Sequence, residues 1–338
     1  MKPLDLYRQI AESTNADYKD FDPVYAELLA LADEASDIAS SNNSLPELTS
    51  IEEHIKQEQE QEYQLRLEEA QAQYNTLIDF LTQQGNQDSL IEYLQDITPQ
   101  YDTETDTVWL AKPEGEAFEL ILKNIKSTTL PAIDSFKLTI LYCSFNQLQV
   151  LPDLPDSLTE LYCSTNKIQV LPDLPDSLTE LYCSTNKIQE LPDLPDGLTI
   201  LDCSLNQLQE LPALPDSLTE LYCSKNQLHE LPDLPDGLTT LYCFNNQLQE
   251  LPALPDSLTE LNCSNNQLQE LPALPDSLTE LYCSDNQLQE LPALPDSLTK
   301  LYCSKNQLQV LPALPDGLTT LHCFNNQLQV LPDLPDSL

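Results

Sequence analysis

Residues 158–177 read LTELYCSTNKIQVLPDLPDS, and this unit returns every twenty residues from Leu138 to the end of the chain without slipping phase. The ten cysteines all sit on it, from Cys143 and Cys163 to Cys323, and an asparagine keeps the same step from Asn146 through Asn166 to Asn326. A fixed period of this length marks a repeat architecture. The unit has the form L-x-x-L-x-C-x-x-N-x-L/I followed by x-x-L-P-x-L-P-x-x. In LYCS, side chains alternate across a strand: Leu161 and Cys163 point inward, Tyr162 and Ser164 outward. Leu158, Ile168, Leu171 and Leu174 complete the core. Asn166 stands where the strand ends, and its amide is suited to satisfy backbone groups that no regular ladder reaches. The two prolines of LPDLP exclude a regular helix on the return leg and favour an extended, polyproline-like path. One unit cannot bury its own apolar edge, so stability comes from stacking on neighbours.

The 338 residues are enough for two domains. Aspartate and glutamate total 56 against 14 lysines and arginines, a net charge of −42. A nucleic acid would meet repulsion instead of releasing counterions, and an anionic membrane surface is disfavoured for the same reason. A basic protein partner is compatible, and the field would speed its encounter; the charge also serves solubility. The cysteines form one inward column, one per strand, and behave as small buried hydrophobes. Reduced thiols in a reducing, cytoplasmic setting are the expectation. A linear column does not converge tetrahedrally, so no metal is expected there. The N-terminus lacks the apolar region of a Sec-type signal peptide, and no apolar run is long enough to span a membrane.

Ahead of the repeats the chain reads as helical. Short helices are expected from about Leu4 to Ser13 and from Asp22 to Ala39, with a linker at Ser40–Pro46. A long helix follows over Glu47–Gln84, with Ser50 and Glu53 as a capping box. Tyr63, Leu67, Ala70, Tyr74, Leu77 and Leu81 make a heptad seam on it. The seam serves dimerisation, or capture of a partner helix, or packing against the other N-terminal helices. Ser89–Ile97 reads as a short helix and residues 100–108 as loop or a single strand. Pro113 opens a helix running to Lys126, read as the cap over the first edge of the repeats. The expected organisation is an acidic helical domain over residues 1–127, capping helix included, and a repeat domain of about ten 20-residue units over 128–338 with no C-terminal cap.

The LPxLPxxLxxLxxxxNxL unit resembles the bacterial LPX-type leucine-rich repeats, those of the YopM and IpaH/SspH kind of secreted effector. The match covers residues 138–338 and rests on Leu151, Pro152, Leu154, Pro155, Leu158, Leu161, Asn166, Ile168 and the same columns elsewhere. The resemblance implies a strongly curved solenoid of short repeats. With the helical domain read ahead of it, the expected chain is α+β: a helical N-terminal domain followed by a curved leucine-rich-repeat solenoid with parallel β on the concave face and an extended convex side. It also implies protein binding, often after delivery into a host cell. IpaH-like members add a ubiquitin-ligase domain with a catalytic cysteine. Here every cysteine lies in the core column, so no ligase residue carries over.

No catalytic constellation is visible. The histidines, His54, His229 and His322, are too dispersed to pair with a nucleophile, and no phosphate-binding loop occurs; no cofactor is expected. The informative columns face outward from the strands. The first holds Tyr142, Tyr162, Tyr182, Asp202, Tyr222, Tyr242, Asn262, Tyr282, Tyr302 and His322. Beside it run Glu160, Glu180, Glu220, Glu260, Glu280 and then Lys300. Further along, Phe145, Leu205, Phe244 and Phe324 break a column otherwise small or polar. Tyrosine brings large contact area with a polar tip, and aromatic plus acidic suits an Arg- or Lys-bearing partner. Tyrosine is also simply a good strand residue, copied with the unit. The Asp153/Asp156 columns suit turn formation or weak calcium binding. Three roles follow: a non-catalytic protein-interaction scaffold, the recognition part of a ubiquitin ligase, or a structural or surface-display protein.

Overall fold

The structure is a computed structural model. It describes residues 46–84, 94, 97–102, 107–111, 118–123 and 125–338, with side chains described for 63–83, 94, 97, 118–123 and 125–338. The helices expected over 4–13 and 22–39 and the linker after them, apart from Pro46, lie outside these residues. So does the helix expected over 89–97, apart from Leu94 and Ile97, which are both buried.

After a first strand of five residues, each repeat contributes one of three, too short to stand alone. Stacking makes it a sheet. β4 (Leu138–Tyr142) is followed by β5 (Glu160–Tyr162), β6 (Glu180–Tyr182), β7 (Ile200–Asp202), β8 (Glu220–Tyr222) and β9 (Thr240–Tyr242). Then come β10 (Glu260–Asn262), β11 (Glu280–Tyr282), β12 (Lys300–Tyr302) and β13 (Thr320–His322). They pair in parallel and in strict chain order, each residue opposite its copy twenty positions on, as Leu161 is opposite Leu181. Leu158, Leu161, Cys163 and Ile168 are fully buried, as are their counterparts in the middle units. All ten cysteines are free thiols, and only Cys323 is less than fully buried. Burial pushes the thiols of Cys143 and Cys263 up to about 12.

Side chains finish the ladders that such short strands leave incomplete. The Asn166 amide donates to the carbonyls of Cys143 and Cys163, both at 3.0 Å, and its Oδ1 accepts the Leu148 N–H at 3.0 Å. One side chain therefore ties its own turn to the preceding one, and the column repeats this to Asn326. Thr159 Oγ1 donates to the Thr139 carbonyl at 2.9 Å, and this ladder continues to Thr319. Ser177 Oγ bonds the carbonyls of Asp156 and Leu158 at 2.7 Å each. The residue before each asparagine takes a left-handed backbone, with φ between 53° at Asn325 and 59° at Phe145. Asn and Asp tolerate that region, whereas Thr165 and Thr185 occupy it at a steric cost. The return leg carries neither helix nor strand.

Two N-terminal expectations change. The helix from Pro113 to Lys126 is replaced, where described, by a strand: β3 (Phe118–Ile121) pairs in parallel with β4 and extends the sheet to eleven strands. Phe118, Leu120 and Leu122 are buried while Glu119 and Ile121 are exposed, a two-residue alternation that belongs to a strand. An adjacent sheet edge overrides the helical propensity of GEAFELILK. Residues 118–127 also make the repeat's own contacts, since Asn146 Nδ2 donates to the Leu122 carbonyl at 2.8 Å. The sheet therefore starts ahead of residue 128. Residues 98–111 hold β1 (Thr98–Asp102) and β2 (Thr107–Ala111), an antiparallel pair instead of a loop or single strand.

Helix α1 (Pro46–Gln84) forms as expected but begins at proline, a residue suited to the first helical position. Ser50 and Glu53 thus lie inside the helix instead of at its start. Residues 66–338 make up one compact unit. Within it Ala70, Leu77 and Leu81 are buried in the cluster that holds Phe118, Ile133, Phe136 and Leu141. The lower heptad seam packs on the first turns of the solenoid core, together with Leu94 and Ile97, and the Tyr74 hydroxyl donates to the Leu94 carbonyl at 3.1 Å. Gln73 fixes the contact: Nε2 donates to Asp134 Oδ1 at 3.0 Å and Oε1 accepts the Ser135 N–H at 3.2 Å.

Candidate partner-binding face

The face opposite the buried Leu–Cys column is built from the first and third residues of each strand, because a strand sends alternate side chains to opposite sides. Parallel in-register pairing sets identical residues beside one another, so the outward tyrosines meet face to face. Tyr142 and Tyr162 stack at 4.5 Å, and Tyr162 and Tyr182 at 4.6 Å with 7° between planes. Tyr222 and Tyr242 meet edge to face at 5.3 Å. Tyr282 stacks on Tyr302 at 4.7 Å and Tyr302 on His322 at 4.6 Å. The column is thus three aromatic runs, interrupted at Asp202 and Asn262. Such pairs contribute about 0.5–1.5 kcal/mol each beyond their buried area, so they stiffen the face as well as decorate it.

The glutamate column is tied to the tyrosines. Tyr162 donates to Glu160 at 2.9 Å, Tyr182 to Glu180 at 3.1 Å, Tyr222 to Glu220 at 2.7 Å and Tyr282 to Glu280 at 2.7 Å. In the unit of Tyr242 a threonine replaces glutamate, and that hydroxyl crosses to Glu260 at 2.8 Å instead. Burial, and then donation to these carboxylates, pushes Tyr182 and Tyr242 up to about 12 and raises Tyr162, Tyr222 and Tyr282 further. Lys300 Nζ lies 2.7 Å from Glu280 Oε1. That hydrogen bond, with the Tyr282 hydroxyl second, holds the Glu280 carboxyl below its ordinary range.

The apolar residues further along belong to two columns, not one. Phe145 and Leu205 occupy the left-handed turn position and are 51% and 45% exposed. Phe244 and Phe324 replace the strand-following serine. Ser184 Oγ bonds Ser164 Oγ at 3.1 Å along that column, whereas Ser224 and Ser304, each one unit before a phenylalanine, are buried with no partner for their hydroxyls. Lys225 stands over the Phe244 ring at 5.7 Å and Lys123 over Phe145 at 5.1 Å.

The tyrosine, glutamate and histidine positions expected from sequence therefore share one strip, with Phe244 and Phe324 at its border. Sequence reading missed the hydroxyl–carboxylate pairing, although the fixed two-residue spacing of glutamate and tyrosine carries it. Among the described residues no three His, Cys, Asp or Glu side chains gather as metal ligands. No described helix is long and apolar enough to cross a membrane.

The family model for leucine-rich repeats (2 copies) matches residues 216–256, 236–276 and 256–296. Among solved structures, YopM from Yersinia enterocolitica WA-314 is 42% identical with a TM-score of 0.55, over 62% of this chain and 51% of that one. The chain thus spans about half the length of that relative. YopM from Yersinia pestis, described as a leucine-rich effector protein, is 33% identical over 65% of this chain and 86% of that one, with a TM-score of 0.36. A Shigella effector leucine-rich-repeat domain is 34% identical over 50% of this chain and 69% of that one, with a TM-score of 0.39. No curated protein sequence matches significantly. The chain belongs to the leucine-rich-repeat proteins, with 20-residue units of the LPX type carried by bacterial effectors.

Proposed function

We propose that this chain is a non-catalytic interaction scaffold that captures a protein partner on the outward strand face, and that the face is concave. The observation that carries the reading is the strip of tyrosine and glutamate runs, prearranged by stacking and hydroxyl–carboxylate hydrogen bonds. A rigid surface gives up little entropy on binding, and tyrosine supplies contact energy where interfaces concentrate it. Glutamates in register, on a chain of net charge −42, favour a partner bearing arginine or lysine. Likeness to YopM supports a bacterial effector that works inside a host cell, where the buried thiols stay reduced. The binding part is the repeat sheet, which starts at Phe118, and the acidic region precedes it.

The test is capture from host-cell lysate by intact protein and by a variant with Tyr162, Tyr182, Tyr222 and Tyr242 changed to serine. A partner held by the first and lost by the second is expected. Equal recovery would dismiss the face as the working site.

A further inference from the structure

The fourth unit, LTILDCSL, inverts the chemistry of the strip. In the sheet register Ile200 stands between Glu180 and Glu220, and Asp202 stands between Tyr182 and Tyr222. An apolar side chain replaces the acid, and an acid replaces the aromatic ring. Stacked neighbours are 4.5–4.7 Å apart. Tyr182 and Tyr222, two units apart, therefore flank a gap of roughly 9 Å, twice the strand spacing. That is wide enough for one planar cation between the two aromatic rings, whose faces attract cations.

Asp202 lies at the bottom of the gap, half-buried. Its Oδ1 accepts the Ser204 N–H at 3.1 Å, and among the described residues no cation pairs with it. Glu280, by contrast, has Lys300. The second interruption, Asn262 between Tyr242 and Tyr282, has the same shape and the same bond to its own strand, Ser264 N–H at 3.2 Å, but no charge.

We infer that the gap at Asp202 is a socket for a single arginine or lysine side chain of the partner: carboxylate at the floor, tyrosine rings on both sides, and Ile200 under the alkyl stem. The inference rests on the outward strand face being the partner-binding surface. Arginine fits better than lysine, since its plane slides between rings and its fork matches a carboxylate. The glutamates at either side draw the cation in, while the neutral gap at Asn262 does not hold it.

The probe is the peptide acetyl-Gly-Gly-Arg-Gly-Gly-amide, titrated into the full chain and followed by the methyl signal of Ile200. The neutral citrulline peptide is the control. Saturable movement of the Ile200 signal by the arginine peptide alone is expected. Asp202→Asn should weaken it roughly tenfold, the loss of a charge-assisted contact. Asp202→Tyr, which restores the ring found in seven other units, should abolish it while the Ile168 methyl signal stays in place. Equal response to both peptides, or undiminished binding by Asp202→Tyr, overturns the socket. In the lysate experiment, a partner kept by Asp202→Tyr but lost by the four-tyrosine variant would refute the socket alone. A partner kept by both would refute the face.

Discussion

Asn226→Ala probes how the turns are joined. The Asn226 amide donates to the carbonyls of Cys203 at 3.0 Å and Cys223 at 3.1 Å, while its Oδ1 accepts the Leu208 N–H at 3.0 Å. Alanine leaves the Leu208 N–H without a partner and takes one of two amide donors from each carbonyl, since Asn206 still donates to Cys203 and Asn246 to Cys223, in a site only 9% exposed. The orphaned N–H costs about 1–3 kcal/mol and each of the two lost carbonyl bonds about 1 kcal/mol, so the loss is about 4 kcal/mol. Asn226→Asp keeps size and the Leu208 bond but turns an oxygen toward two carbonyls. It should be as damaging at pH 7. Burial and the carbonyls raise the pKa of that carboxyl in the folded state, so stability recovers as pH falls and the carboxyl regains a proton. The same change at Asn326, which makes equivalent bonds but is half-buried, lets water substitute and should cost about 1–2 kcal/mol. Urea unfolding followed by circular dichroism measures all three. A loss below about 1 kcal/mol at Asn226, or equal losses at Asn226 and Asn326, would refute the reasoning.

Other expectations follow from the same ladders. Gly197, Gly237 and Gly317 interrupt the serine column, and a Cβ at each meets nothing closer than a carbonyl at 3.8 Å. Serine there should gain the bonds Ser177 makes and stiffen the chain, raising stability by about 1 kcal/mol per site in urea unfolding. A disulfide reagent added to native protein should label one thiol quickly, Cys323, and the other nine only on unfolding; several fast thiols would contradict the buried column. Tyr182 and Tyr242 should ionise near pH 12 in native protein, against about 10 in urea, read by tyrosinate absorbance. Because these folded-state values are raised, the associated stability is fully present below pH 10 and is lost as pH rises toward 12.

The repeat was legible because its signal is periodic: Leu161 and Cys163 alternate inward, the prolines exclude a helix on the return leg, and an asparagine must answer unpaired backbone. The start of the sheet was not. Phe118, Leu120 and Leu122 lie in a segment whose charges also fit a helix, and only the neighbouring edge of β4 decides between the two. The lower seam of α1 showed an apolar stripe without naming what it covers, since a stripe carries no address. On the candidate face the tyrosine and glutamate columns were visible as residue types. Their stacking depends on in-register neighbours, and the left-handed turn residue escaped notice because Phe145, Thr165, Leu205 and Lys225 share no side-chain chemistry.

The central claim, that the strip of tyrosines and glutamates is where a partner sits, is tested most directly by hydroxyl-radical footprinting of the chain with and without its captured partner. Protection of Tyr162, Tyr182, Tyr222 and Tyr242, with the exposed Val150 and Val170 before the return leg unchanged, is the predicted result. Protection confined to those valines or to residues 1–127, with the four tyrosines oxidised as in the free chain, would contradict it.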